Sequence, residues 1–245
     1  MEWRDEGFVL AARRHGESSA VVTLLTREHG RHAGLARGGS GRRGAAIYQT
    51  GNRVVTVWRA RLADHLGTFI CEVVESHAAR LIDDRLSLAV LAAAAAMAEA
   101  TLPEREPHAA LFERMVELIA TIEDDPQAKR WPAAYVRWEM NLLADLGFGL
   151  DLARCAATGR SDDLGYVSPR TGRAVSREAG EGYKDRLLAL PPFLAGAGVA
   201  EPGPEDVGRG LALTGFFLER HILHGLPALP PARVRLGDLL RSRAR

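Results

Sequence analysis

The feature that most constrains this chain is a change of hydrophobic period near residue 77. Before it, apolar residues come in short β-prone runs, "GFVLAARRH", "SAVVTLLT", "GRHAGLAR", "RVVTVWRARL" and "GTFICEVVES", with glycine-containing turns nearby. In the fourth run Val55, Val57 and Arg59 fall on one side and Val54, Thr56 and Trp58 on the other, the period of two that marks a strand. From Ala78 the spacing is helical. "RLIDDRLSLAVLAAAAAMAEATL" comes first, then "HAALFERMVELIATIEDD" with Leu111, Met115, Leu118 and Ile122 on one stripe. "AAYVRWEMNLLADLG" follows Pro132, and "EDVGRGLALTGFFLERHIL" follows an irregular stretch. Five short strands expose their edges unless they close on themselves, and the smallest closed solution is the five-stranded OB-fold barrel. The sequence therefore predicts an α+β, multidomain protein. An OB-fold barrel occupies residues 1–77 and an α-helical domain residues 78–245, with a small irregular hairpin insertion in 151–180. "PALPPARVRL" is expected to end the ordered packing, leaving "RSRAR" as a basic tail.

Composition narrows the class. The 245 residues are 47% hydrophobic and 26% charged, which suits packed cores in a water-soluble protein. Two cysteines, Cys71 and Cys155, are too few for a disulfide framework. The amino terminus "MEWRDEGF" lacks the apolar core of a signal peptide, and the apolar run "LAVLAAAAAMA" is far shorter than a membrane span. A cytoplasmic location without membrane contact is expected.

The formal net charge is only +1, so affinity for a polyanion must come from how charge is distributed. It is distributed unevenly. Residues 27–61 hold eight arginines and one acid, Glu28, a local balance of +7. "LARGGSGRRG" at 35–44 concentrates three of those arginines among four glycines. Gly39 to Gly44 fits G-x-G-x-x-G, but a dinucleotide fingerprint needs strand, glycines and then a helix, and here another strand is expected. A P-loop needs a lysine that this region lacks. A basic barrel surface with an arginine loop suits a phosphodiester backbone, with Arg31, Arg37, Arg42, Arg43, Arg53 and Arg59 as the candidate contacts. The alternative is a solvated basic face without a partner. Tyr48, Trp58 and Phe69 are the few aromatic residues available for base stacking, and Trp58 serves equally well in a core.

No catalytic set emerges. His29 with His32, and His221 with His224, are H-x-x-H pairs without further metal ligands in place. Asp162-Asp163 and Glu123-Asp124-Asp125 are adjacent carboxylates that read as solvated turns. The expectation is a binding protein rather than an enzyme, with no catalytic residue, metal or cofactor.

Four long stretches, "HGESSAVVTLLTREHGRHAGLARGG", "QTGNRVVTVWRARLADHLGTF", "RWEMNLLADLGFGLDLARC" and "RCAATGRSDDLGYVSPRTGRAVSREAG", resemble the RecO family of bacterial DNA-repair recombination mediators. They span both expected domains. The resemblance implies an amino-terminal OB barrel and a helical domain that bind single- and double-stranded DNA and anneal complementary strands. It further implies work with RecR to load RecA onto DNA coated by single-strand-binding protein (SSB), with nucleoid association when bound. Arg37, Arg42 and Arg43 match basic loop positions of the family, whereas Ser40 stands where a basic residue often occurs. The resemblance also implies a pocket for the acidic carboxyl-terminal tail of SSB, with Arg137 as its cation and Leu142 and Phe148 as walls. Many members hold a structural zinc on two C-x-x-C pairs. Here Cys155 matches the first position and Thr158, Ser176 and Ala179 stand at the others, which leaves too few ligands for zinc. An RNA- or ribosome-associated OB-fold protein is the alternative function.

Overall fold

The structure, a computed structural model, describes residues 1–196, 202–223 and 228–243. The chain forms two compact units. One contains residues 1–126 with 230–233, and the other residues 127–229 with 234–245.

In the first unit β1 (Glu2–His15), β2 (Ser19–Thr26), β3 (Gly30–Ala36), β4 (Arg53–Arg59) and β5 (Thr68–Glu75) close into a barrel in the order β1-β2-β3-β5-β4. One long strand makes closure possible. β1 pairs antiparallel with β4 through Glu2–Phe8 and with β2 through Gly7–His15, and its register shifts between Val9 and Ala11. A bulge bends a strand, so one strand serves two neighbours. The remaining seam is narrow and parallel, with Leu35 opposite Thr68 and Ala36 opposite Phe69. The period of two puts Val22, Leu24, Val54, Trp58 and Phe69 inside, and each such side chain stabilises by roughly 1.5–3 kcal/mol on burial.

Between β3 and β4 the chain is not the expected open loop. It makes a turn and then a short helix, α1 (Arg42–Ile47). After β5 come α2 (His77–Arg80), α3 (Arg85–Thr101) and α4 (Ala109–Glu123). α3 starts later than its apolar pattern suggests because Asp84 caps it, accepting from the N–H groups of Leu86 (2.9 Å) and Ser87 (3.2 Å). Helices α3 and α4 belong to the same compact unit as the barrel. Thus compactness divides the chain near residue 126, although the hydrophobic period changes near 77.

The second unit contains α5 (Trp131–Asp145), with Pro132 in its first turn, and a small sheet of β6 (Leu164–Val167), β7 (Ala174–Ser176) and β8 (Leu188–Ala189) in the order β7-β6-β8. The short α6 (Arg177–Gly180) follows β7, and α7 (Pro204–Phe217) packs on α5. Thr214 donates to the buried Glu139 carboxylate at 2.5 Å, tying these two helices together. The segment read as the end of ordered packing instead forms α8 (Pro231–Arg243), where Leu236 is buried.

Candidate nucleic-acid interface

An OB barrel offers oligonucleotides the outer face of its second and third strands and the loops after its first and fourth. Part of that face is closed here. Thr23 and Leu25, which alternate with the core residues Val22 and Leu24, are themselves buried, and α3 packs on β1 and β2. Arg31 on β3 is tied down as well. Its Nε donates to the Leu102 carbonyl at 2.7 Å, and its own carbonyl accepts from the Arg105 N–H at 2.8 Å. Exposed residues remain in the β1–β2 turn, in the β3–α1 connection and in the β4–β5 loop.

The six candidate arginines therefore divide. Arg53 donates to Glu6 at 2.8 Å and to Glu75 at 3.0 Å, and its side chain is only 20% exposed. Arg53 also holds the Glu6 carboxyl below the usual range. Arg59 pairs with Glu2 at 2.9 Å, with a side chain 58% exposed. Arg31 has its carbonyl partner, and nearby Arg27 pairs with Glu6 and Glu113. By contrast, Arg37, Arg42 and Arg43 are exposed and have no ion pair or hydrogen bond among the described residues. Acids from outside the 27–61 window thus pair three of the eight arginines, Arg27, Arg53 and Arg59, whereas the charge at the β3–α1 connection remains uncompensated among the described residues.

That connection is a built element. Gly44 is buried, and a Cβ there would meet the Gly38 carbonyl oxygen at 2.4 Å, so the helix backbone lies directly under the preceding turn. Ser40 crosses to the β1–β2 turn, its N–H to the Ser18 carbonyl (3.1 Å) and its Oγ to the Glu17 carbonyl (3.2 Å). The contact sets the exposed Arg14 and His15 at the end of β1 beside the same region, with the Glu17 carboxylate among them. Arg14 and His15 were not singled out from sequence. The run "ARRH" running into a turn was the available signal.

The three aromatic candidates for base stacking do not reach this surface. Tyr48, Trp58 and Phe69 are all buried in the barrel core. A surface made this way reads backbone charge rather than base identity. The His29–His32 pair also lacks metal geometry. His29 Nδ1 lies 2.9 Å from Asp5 and its ring stacks on Trp3 at 4.0 Å. His32 is 4% exposed, both its ring nitrogens lack partners, and burial holds its pKa down to about 4. His224, of the other pair, lies outside the described residues. The carboxylates at 123–125 are not simply solvated: Glu123 takes His77 at 2.7 Å and Arg80 at 3.1 Å, and Asp125 is buried. Glu75, His77 and Glu123 could geometrically share a cation, but their carboxylates already hold Arg53 and Arg80.

In the second unit, Leu142 is fully buried, so it cannot form the wall of an exposed pocket. Arg137 is exposed on α5 and lies over the Phe193 ring, 5.2 Å from its centroid, with a 3.4 Å hydrogen bond to the Phe193 carbonyl. Phe148 is exposed and stacks with His221 at 5.0 Å. No contact joins Arg137 to Phe148 among the described residues. The four positions that match the family's two C-x-x-C pairs do converge. Cys155 Sγ accepts from the Ser176 N–H at 3.2 Å and lies 3.5 Å from Ser176 Oγ, which in turn accepts from the Ala179 N–H at 3.4 Å. Burial opposes ionisation of Cys155, but hydrogen bonds from Ser176 and Thr158 outweigh it and bring the thiol down to about 6. One sulfur and two hydroxyls fit a hydrogen-bonded knot, not a tetrahedral zinc.

No helix among the described residues is long and apolar enough to cross a membrane. The family described as Recombination protein O N terminal matches residues 1–77, and the one described as Recombination protein O C terminal matches residues 82–230. The chain is 52% identical to the DNA repair protein RecO of Rhodospirillum centenum, over 99% of this chain and 96% of that protein. It is 53% identical to the DNA repair protein RecO of Cereibacter sphaeroides strain ATCC 17029, over 98% of each. With the DNA repair protein RecO of Phenylobacterium zucineum it shares 54% identity over 100% of both.

Proposed function

The chain belongs to the RecO family of DNA repair proteins, and from that premise we propose that it is a recombination mediator without catalytic activity. It binds single- and double-stranded DNA, anneals complementary strands and, with RecR, helps RecA load onto SSB-coated single strands. The observation that carries the reading is the unpartnered set Arg37, Arg42 and Arg43 on the folded turn and short helix that follow β3. Cations fixed on such a turn neutralise phosphates and release counterions whatever the sequence, and charge neutralisation is what two repelling strands need in order to anneal. Family membership supports the partners RecR, SSB and RecA and a cytoplasmic, nucleoid-associated location. Arg137 remains the candidate cation for the SSB tail, because its guanidinium is exposed beside an aromatic ring.

The test is a salt titration with matched DNA and RNA oligomers, single-stranded and duplex. DNA binding with a linear log–log salt dependence in both forms is expected. Tight RNA binding without comparable DNA binding would instead favour an RNA- or ribosome-associated protein. For the SSB arm, Arg137→Ala is expected to weaken tail-peptide binding by roughly 1.5–3 kcal/mol, the range for hydrogen bonds to charged groups, while leaving naked-DNA binding intact. An unchanged peptide affinity would remove Arg137 from that site.

A further inference from the structure

In the second unit three rings form a ladder from core to surface. Phe217 is 1% exposed and lies parallel to His221, with centroids 5.9 Å apart and 8° between the planes. His221 lies in turn against Phe148, at 5.0 Å and 17°. Phe148 is 41% exposed. His221 covers one of its faces, so the exposure falls on the other face and the ring edge.

Two helix ends build the ladder. Helix α5 closes in a Schellman turn. Gly147 has φ at 86°, its N–H donates to the Ala144 carbonyl (3.0 Å), and the Phe148 N–H donates to the Leu143 carbonyl (2.8 Å). An apolar residue at the position of Phe148 commonly packs back onto the helix it closes. Here the ring is presented to His221 and to solvent. Helix α7 widens after Phe217 into a π turn over Leu218–Ile222, and the Leu223 N–H reaches back to the Leu218 carbonyl at 2.9 Å. Such turns occur frequently at functional sites.

Unpaired cations accompany the rings. The β6–β7 hairpin is tied to the segment that follows Phe148. The Asp151 N–H donates to the Gly172 carbonyl (3.1 Å) and the Ala174 N–H to the Asp151 carbonyl (2.8 Å). A Cβ at Gly172 would stand 2.9 Å from the Leu150 side chain and 3.8 Å from the Phe217 ring. The hairpin tip therefore lies beside the ladder and brings Arg170, which is exposed and has no partner among the described residues. Arg154, on the segment after Phe148, and Arg220, on the π turn, are also exposed and have no ion pair among the described residues. Arg220 lies over the Phe216 ring, 5.9 Å from its centroid. Asp151 pairs with Arg173 at 3.3 Å, which leaves Glu219 as the one carboxylate of these segments that opposes an anion.

We propose that Phe148, backed by His221 and Phe217, stacks a base of single-stranded DNA while Arg170 and Arg220 hold flanking phosphates. The proposal deepens the DNA-binding reading above and rests on it. A flat ring with unpaired cations on separate segments suits a polymer that carries a base and an anion at every step. A lone carboxylate would need only one of those cations. The barrel keeps its own aromatic candidates in its core, so stacking falls to the second unit. Bases paired inside a duplex offer no free face, so the ladder acts on single strands alone.

The experiment titrates the full chain with a mixed-sequence single strand carrying one 2-aminopurine, and with the same sequence as a duplex. Phe148→Ala is expected to weaken single-strand binding roughly tenfold and to reduce the 2-aminopurine signal. It should keep the log–log salt slope, since no charge is removed, and keep duplex affinity. Phe148→Trp should bind like wild type and Phe148→Leu like Phe148→Ala. Arg170→Ala should lower the single-strand slope by roughly 0.7, one phosphate contact. Wild-type single-strand affinity in Phe148→Ala, or an equal loss on both forms of DNA, would overturn the proposal. If Phe148→Ala fails to fold, Phe148→Trp and Phe148→Leu still decide it, because both fill the position. An acidic peptide ending in phenylalanine is titrated beside the DNA, and a variant that loses only the peptide would assign the ring to a protein partner and overturn the proposal. Arg37→Ala/Arg42→Ala/Arg43→Ala separates the two readings. If that triple variant loses slope while Phe148→Ala binds as wild type, the stacking proposal alone fails; if wild type binds neither form of DNA, the DNA-binding reading fails as well.

Discussion

The arginines of the barrel strands and those of the β3–α1 connection lie within one thirty-five-residue window and differ in almost everything that matters. On the strands Arg53 and Arg59 meet Glu6, Glu75 and Glu2, Arg31 meets a carbonyl, and Arg27 in the β2–β3 turn meets Glu6 and Glu113. At the connection Arg37, Arg42 and Arg43 meet nothing among the described residues. The difference teaches that charge counted along a window is not charge presented on a surface. Strand pairing sets Glu6 opposite Val55 and Arg53 opposite Glu75, so register delivers acids from distant sequence to the strand arginines. A turn and a six-residue helix have no such partner strand.

A cation-forming group placed where no acid can reach it gives the largest expected effect. His32 is buried without hydrogen-bond partners, and its pKa is down at about 4 from an ordinary 6.5. The fold therefore favours the neutral ring. Stability is complete above about pH 6.5 and is lost as pH falls from there through about 4, by on the order of 3 kcal/mol. Equilibrium unfolding of wild type and His32→Phe across that window checks it: the variant should lose this part of the slope. A wild-type slope in the variant would mean that other groups carry the acid sensitivity.

Next comes the buried side of the comparison. Arg53→Ala leaves Glu6 and Glu75 without their shared, mostly buried partner, and should cost about 2 kcal/mol, below the figure for a fully buried pair. Denaturant melts measure that loss. The salt slope of DNA binding should stay at its wild-type value, and a slope that falls would put Arg53 in the interface after all.

Much of this architecture was legible in sequence. Period-two runs marked the five strands, and the Leu111, Met115, Leu118 and Ile122 stripe marked α4. The "YVSPRTGRAVS" hairpin is present as β6 and β7. Helix α1 was hidden because six residues with two arginines and a glycine show no periodicity. The division of the arginines was hidden for a different reason: their partners lie between 20 and 90 residues away, and only register and helix packing join them. Leu142 was misplaced because one apolar stripe serves both a core and a pocket wall, and burial decides between them.

Smaller effects sharpen the contrast on the exposed side. Arg59→Ala removes a solvent-exposed pair with Glu2, and should leave stability close to wild type because solvent screens such a pair. A larger loss in a thermal or denaturant melt would make that pair structural. Replacing Arg37, Arg42 and Arg43 together should leave the melt within about 0.5 kcal/mol of wild type, since exposed side chains without partners contribute little packing.

The most direct measurement sets two triple variants side by side in a salt titration with duplex DNA, Arg37→Ala/Arg42→Ala/Arg43→Ala against Arg31→Ala/Arg53→Ala/Arg59→Ala. If the unpartnered connection grips phosphate and the strand arginines hold the barrel together, the first variant should lose roughly 2–3 units of log–log slope, close to 0.9 for each phosphate contact. The second should keep its slope and lose stability instead. Equal loss of slope in both variants, or loss only in the second, would contradict the division of the arginines on which the proposed interface rests.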